Sequence, residues 1–132
     1  MLIRRPPVAS ILIVSGPNEG EYHPLRGSTI EVGRDEGCTI QIADDRVSRR
    51  HLRIRFDDRD RSYHAVDEKS ANGTLHNDRR ITADTRLADG DILAIGRTEL
   101  MFSELDFTDD ETAFKHYRKK GERGKSTIIG PQ

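Results

Sequence analysis

The chain is written in short apolar runs of strand length. Hydrophobic positions cluster or alternate over residues 9–14, 29–32, 39–42, 51–56, 63–66, 92–95 and 99–102. A period of two puts one face of a strand on a core and the other in solvent, as where Leu52, Ile54 and Phe56 interleave with Arg53 and Arg55. Turn formers separate the runs: Gly16-Pro17-Asn18-Glu19-Gly20, Arg26-Gly27-Ser28, Asp35-Glu36-Gly37, Asp57-Asp58-Arg59-Asp60, Asn72-Gly73, Asp89-Gly90-Asp91 and Gly96-Arg97. No amphipathic helix lies between them and no unit repeats at a fixed period. The pattern predicts an all-β sandwich or barrel rather than alternating strands and helices.

Beyond Phe102 the pattern changes. Thr108-Asp109-Asp110-Glu111 has the form of a capping box, with acids at the start of a helix predicted over 112–120. Lys115, Arg118, Lys119 and Lys120 load its end, and Gly121 can terminate it. Its apolar content is Ala113, Phe114 and Tyr117. Residues 121–132 read as a flexible tail or linker. The expected organisation is a sandwich domain over 1–103, then a helix and tail over 104–132.

Composition narrows the function. The 132 residues suit one domain, and 33% hydrophobic against 34% charged residues leave a modest core under a heavily solvated surface. No apolar stretch approaches the ~20 residues of a membrane span. Arg4-Arg5-Pro6-Pro7 suits a free N-terminus, and no small-residue cleavage site follows the apolar run after it. The single Cys38 excludes an intrachain disulfide and fits a reducing, cytoplasmic setting. A net charge of −1 argues against bulk nucleic-acid binding, although seven arginines face three aspartates between positions 46 and 61.

Catalytic signatures are missing. There is no His-Glu-x-x-His, no paired cysteine, no nucleotide-binding glycine motif and no Gly-x-Ser-x-Gly elbow. The five histidines (23, 51, 64, 76 and 116) lack zinc-ligand spacing. Ser48 and His51, three apart, could pair as nucleophile and base, but such pairs are common by chance. The expectation is a protein that is not an enzyme and needs no metal or cofactor.

Four short elements say more in combination. They are Gly33-Arg34 after a strand, Ser48-Arg49-Arg50-His51 leading into one, Ser70-Ala71-Asn72-Gly73-Thr74 in a turn, and Leu87-Ala88-Asp89-Gly90-Asp91-Ile92. Each alone is ordinary turn chemistry. Their order and spacing over residues 9–102 resemble the forkhead-associated (FHA) domain, a phosphothreonine-binding β-sandwich. The resemblance implies a two-sheet, FHA/SMAD-like sandwich of about eleven strands, with ligand loops at one end.

It also implies roles. Arg34 would give the phosphate a charge-assisted fork, Ser48 a hydroxyl and Arg49 a further contact. Asn72 would grip the ligand's main chain, since a primary amide both donates and accepts. Gly33, His51, Gly73 and Thr74 would support the site without touching the ligand. Ala71 stands where some relatives carry another hydroxyl. Arg46, Arg79 and Arg80 are candidates for specificity, Arg46 by meeting an acid three residues after the phosphothreonine. Each of these arginines also reads as a solvated surface charge.

The implied partner is a phosphothreonine-containing protein segment in Ser/Thr kinase signalling, with no small-molecule substrate, nucleic acid or membrane. A monomer is expected; a phospho-dependent dimer through Thr108, Thr112 or Thr127 is the variation. Two rivals stand beside this reading. One is an interaction module of the same fold that needs no phosphate. The other is a nucleic-acid binder using the arginines at 46–61.

Overall fold

The computed structural model describes residues 6–26, 29–104 and 114–115. Eleven strands form two sheets: β1 (Ala9–Ser15), β2 (Tyr22–Leu25), β3 (Ile30–Gly33), β4 (Ile40–Gln41), β5 (Leu52–Asp57), β6 (Ser62–Asp67), β7 (Leu75–His76), β8 (Arg79–Arg80), β9 (Thr85–Arg86), β10 (Ile92–Ile95) and β11 (Thr98–Ser103). One sheet runs β2-β1-β11-β10-β7-β8 and the other β4-β3-β5-β6-β9. All strand pairs are antiparallel except β3 with β4, where Val32 faces Ile40. The expected sandwich is present.

Alternation fills the core. From the six-stranded sheet come Ile11, Ile13, Leu93, Ile95, Leu100 and Phe102; from the other come Ile30, Val32, Leu52, Ile54, Tyr63 and Ala65. Tyr63 sits between Phe56 and Phe102, its ring 5.1 Å and 5.7 Å from theirs. Such edge-on and tilted contacts suit the aromatic quadrupoles. Pro24 lies in β2, which closes one end of its sheet, where a residue without an N–H costs no ladder bond.

Seven strands coincide with the runs read from sequence. The other four (β2, β7, β8 and β9) are short and carry no apolar rhythm. β7 and β8 are joined by Asn77-Asp78, both at positive φ (49° and 71°), the two-residue turn whose twist matches a hairpin. Of the helix expected over 112–120, Phe114 and Lys115 are described and helical; the rest, with its cap at Thr108 and the tail at 121–132, lies outside the described residues. No helix among the described residues is long and apolar enough to cross a membrane.

Candidate functional site

Three loops meet at one end of the sandwich: the β3–β4 loop with Arg34, the β4–β5 loop with Arg46, Ser48 and Arg49, and the β6–β7 loop with Asn72. Main-chain bonds join the first two. The N–H of Arg34 donates to Ser48 O and that of Asp35 to Arg49 O, both at 3.0 Å. This seam explains Gly33. A Cβ there would lie 2.2 Å from the Arg49 carbonyl oxygen and 3.0 Å from that of Ser48. Only a residue without a side chain lets the two loops close.

The side chains are then set one by one. Arg34 is exposed, and its Nε donates to the Val47 carbonyl at 3.1 Å. Among the described residues no acceptor takes its terminal amino groups, so the guanidinium is aimed but unspent. The Ser48 hydroxyl oxygen accepts from the Ala71 N–H at 2.9 Å. Its own proton remains to be given away. Arg49 is exposed, while its carbonyl accepts from Asp35 N and from the Cys38 thiol at 3.2 Å. Burial pushes that thiol up, with nearby Asp35 and Glu31 adding to it.

His51 ties the loops from beneath. It is wholly buried; Nδ1 accepts from the Ser48 N–H at 3.0 Å, and Nε2 lies 2.7 Å from the Gly73 carbonyl. A main-chain N–H can only donate and a carbonyl can only accept, so the network places the proton on Nε2. The imidazole holds Ser48 by its backbone and not by its hydroxyl. A Ser–His nucleophile pair is therefore not formed, and both ring nitrogens of His51 are taken by main-chain groups of the β4–β5 and β6–β7 loops.

The Asn72 turn is held from both sides. Asn72 is exposed, and its Nδ2 donates to the Arg46 carbonyl at 2.8 Å, leaving Oδ1 available. Gly73 has φ +83°, the left-handed region glycine adopts without strain. Thr74 is buried and donates to Asp67 Oδ1 at 2.7 Å, where the Ser70 hydroxyl also donates at 2.5 Å. Burial alone would raise the Asp67 carboxyl. The bonds from Ser70 and Thr74, with His51 close by, hold it below the usual carboxylate range.

Asp44 does the same for the β4–β5 loop. It is 2% exposed, and Oδ1 accepts from Arg46 N at 3.0 Å. Oδ2 accepts from Arg97 N at 2.7 Å and from the Thr98 hydroxyl at 3.1 Å. Against the opposing effect of burial, these bonds lower its carboxyl. Sequence reading passed over both Asp44 and Asp67. An aspartate in a loop looks like a turn former, and only partners distant in the chain reveal an anchor.

The specificity candidates separate. Arg46 lines an open groove of about 330 Å³ with Asn72, Gly73, Leu75, Ala94 and Gly96. Arg79 and Arg80 are both exposed on β8. The Arg80 guanidinium lies against Gly73, 3.1 Å from where a Cβ would stand; Arg79 pairs with His76, one position along a strand of period two. Arg80 is thus the one facing the Asn72 turn. The arginines of 46–61 do not form one patch. Arg46 and Arg49 lie on the β4–β5 loop, whereas Arg59 and Arg61 pair with Asp57 and Asp58 at the β5–β6 hairpin and Arg55 pairs with Asp57 and Asp84.

Comparison with known proteins bears on this arrangement. Residues 12–106 match the family described as the inner membrane component of T3SS, cytoplasmic domain. The glycogen accumulation regulator GarA of Mycobacterium tuberculosis is 36% identical over 98 residues, which cover 74% of this chain and 59% of GarA. The chain therefore spans less than two thirds of that relative. Among solved structures, the FHA domain of FhaA, a M. tuberculosis protein, complexed with the intracellular domain of Rv3910 is 31% identical. Its TM-score is 0.63, over 71% of this chain and 98% of that one. A domain solved in a study of phosphothreonine-dependent FHA interactions is 29% identical with a TM-score of 0.67, over 76% of this chain and 99% of its own. With its motifs in order on an eleven-strand sandwich and such likenesses across nearly whole domains, the chain belongs to the forkhead-associated family.

Proposed function

We propose that this chain is a phosphopeptide-recognition module that binds phosphothreonine-containing segments of proteins acted on by a Ser/Thr kinase. The observation that carries the reading is the one-sidedness of the site. The Arg34 amino groups and the Ser48 hydroxyl proton, set by adjoining loops, are all donors whose acceptor or anchoring needs are already met by Val47 and Ala71. Such an array suits a ligand that only accepts and carries charge. A phosphothreonine presents three acceptor oxygens at about −1.5 to −2 charge. Arg49 adds charge, and Asn72 Oδ1 is left to take a main-chain N–H of the ligand.

The module acts by binding and not by catalysis. His51 is spent on two main-chain groups, so no base addresses Ser48. Its partners are phosphoproteins rather than nucleic acid, a membrane or a small molecule, and the chain works as a cytoplasmic monomer. Arg46, beside the groove after Asn72, favours an acidic residue downstream of the phosphothreonine. Calorimetric titration with one peptide in phosphothreonine, phosphoserine and unphosphorylated forms tests the reading. Micromolar binding of the first, with at least a tenfold loss for the last, is expected. Equal binding of all three would place the interaction elsewhere on the sandwich.

A further inference from the structure

On the back of the six-stranded sheet, away from the core, runs a row of apolar side chains. Leu12 pairs with Tyr22 on one side and Met101 on the other, and Met101 pairs with Ile92. Tyr22, Leu12, Met101 and Ile92 thus stand abreast across β2, β1, β11 and β10. Their neighbours in sequence, Ile11, Ile13, Leu100, Phe102 and Leu93, point into the core, so period two directs the row outward. An outer sheet face is ordinarily polar. Here Leu12 is 0% and Met101 4% exposed, and Phe114, from beyond the last strand, packs against them with Val14.

Two further observations agree. Residues 11–14 of β1 are Ile-Leu-Ile-Val without alternation, as in a strand covered on both faces. One row along the same outer face, Ser10 is completely buried and its hydroxyl has no partner among the described residues. The middle of this face, over β1 and β11, is therefore covered, while Val14, Tyr22 and Ile92 at its margins stay partly exposed.

We infer that this outer face is a docking surface whose occupant is Phe114 of the same chain, held in cis as a latch. Phe114 is the anchor, and the described helical pair Phe114-Lys115 is tied to the sandwich through it. With the latch lifted, an apolar row four strands wide becomes open to other chains, and a contiguous patch of that kind promotes association. The surface is separate from the loops that carry Arg34 and Ser48.

Methionine methyl labelling in the full chain tests this, since Met1 and Met101 are the two methionines. The Met101 methyl, in the cluster against which Phe114 packs, is expected to move toward its unstructured position in Phe114→Ala, to stay near the parent position in Phe114→Leu, and to be unaffected by dilution in the parent. Phe114→Asp is expected to raise the fluorescence of a hydrophobic dye several-fold. Phosphopeptide affinity should be unchanged in every variant, which keeps this result independent of the loop site. A Met101 signal identical in Phe114→Ala and the parent would overturn the proposal. A signal that changes on dilution would overturn it too, because the occupant would then be a second copy.

Discussion

Replacing Gly33 with alanine tests whether the loop seam builds the site. The added Cβ would stand 2.2 Å from the Arg49 oxygen and 2.8 Å from its carbonyl carbon. Main-chain atoms cannot rotate away as a flexible side chain could. The loop must recede by about 1 Å to reach ordinary contact, which breaks the bonds from Arg34 N and Asp35 N. Each contributes about 0.5–1.5 kcal/mol net, so the expected cost is ~1–3 kcal/mol of stability. The receding segment carries Ser48 and Arg49, so phosphopeptide affinity should fall by at least about tenfold, roughly 1.4 kcal/mol.

Gly37→Ala is the matched control. Its Cβ would meet only an Asp35 side-chain oxygen at 3.8 Å, an ordinary contact. Stability there should be unchanged or rise by about 0.4–1 kcal/mol through the unfolded chain. Urea unfolding and calorimetry on the two variants and the parent give the comparison. If Gly33→Ala matches Gly37→Ala in both measurements, the seam does not govern the site.

Other outcomes follow from the anchors. Asp44→Asn puts an amide donor against the N–H of Arg46 or Arg97 and should cost about 1–3 kcal/mol near neutral pH, read by thermal or urea unfolding. Because Asp44 and Asp67 titrate lower folded than unfolded, their stabilisation is complete above about pH 4 and is lost as pH falls through their folded values. The acid limb of the stability curve should therefore be shallower in Asp44→Asn than in the parent. His51→Ala leaves the Ser48 N–H and Gly73 carbonyl without their partner and should cost at least about 2 kcal/mol, with weakened phosphopeptide binding by calorimetry. Arg46→Ala should remove only about 0–1 kcal/mol, for peptides with a downstream acid, and less at high salt; a peptide library on parent and variant reads this directly.

The sequence carries the parts of this molecule that depend on local rhythm. Leu52, Ile54 and Phe56 announce β5 because alternation is a property of the strand itself. The two-residue strands β7, β8 and β9 have no room for a rhythm; tertiary pairing creates them, so their existence followed from the resemblance and not from the residues. Within the site, Arg34, Ser48 and Asn72 were legible because they fall in spaced motifs. Asp44 was not, since its partners at Arg97 and Thr98 lie more than fifty positions away and nothing near it marks an anchor. Arg80 could not be told from Arg79 until the β7–β8 register fixed which of them faces Gly73. The unbroken apolar run at 11–14 did carry a signal of double-sided burial, but naming Phe114 as the cover required the fold.

The most direct test of the central claim is a double-mutant cycle between Arg34 and the ligand's phosphate. Parent and Arg34→Ala would each be titrated with one peptide in phosphorylated and unphosphorylated form. A charge-assisted hydrogen bond is worth about 1.5–3 kcal/mol, so Arg34→Ala should weaken the phosphopeptide by at least ~10-fold. It should leave the weak binding of the unphosphorylated peptide unchanged. An Arg34→Ala variant that binds the phosphopeptide as the parent does, or that loses both peptides equally, would contradict the assignment of Arg34 as the phosphate ligand.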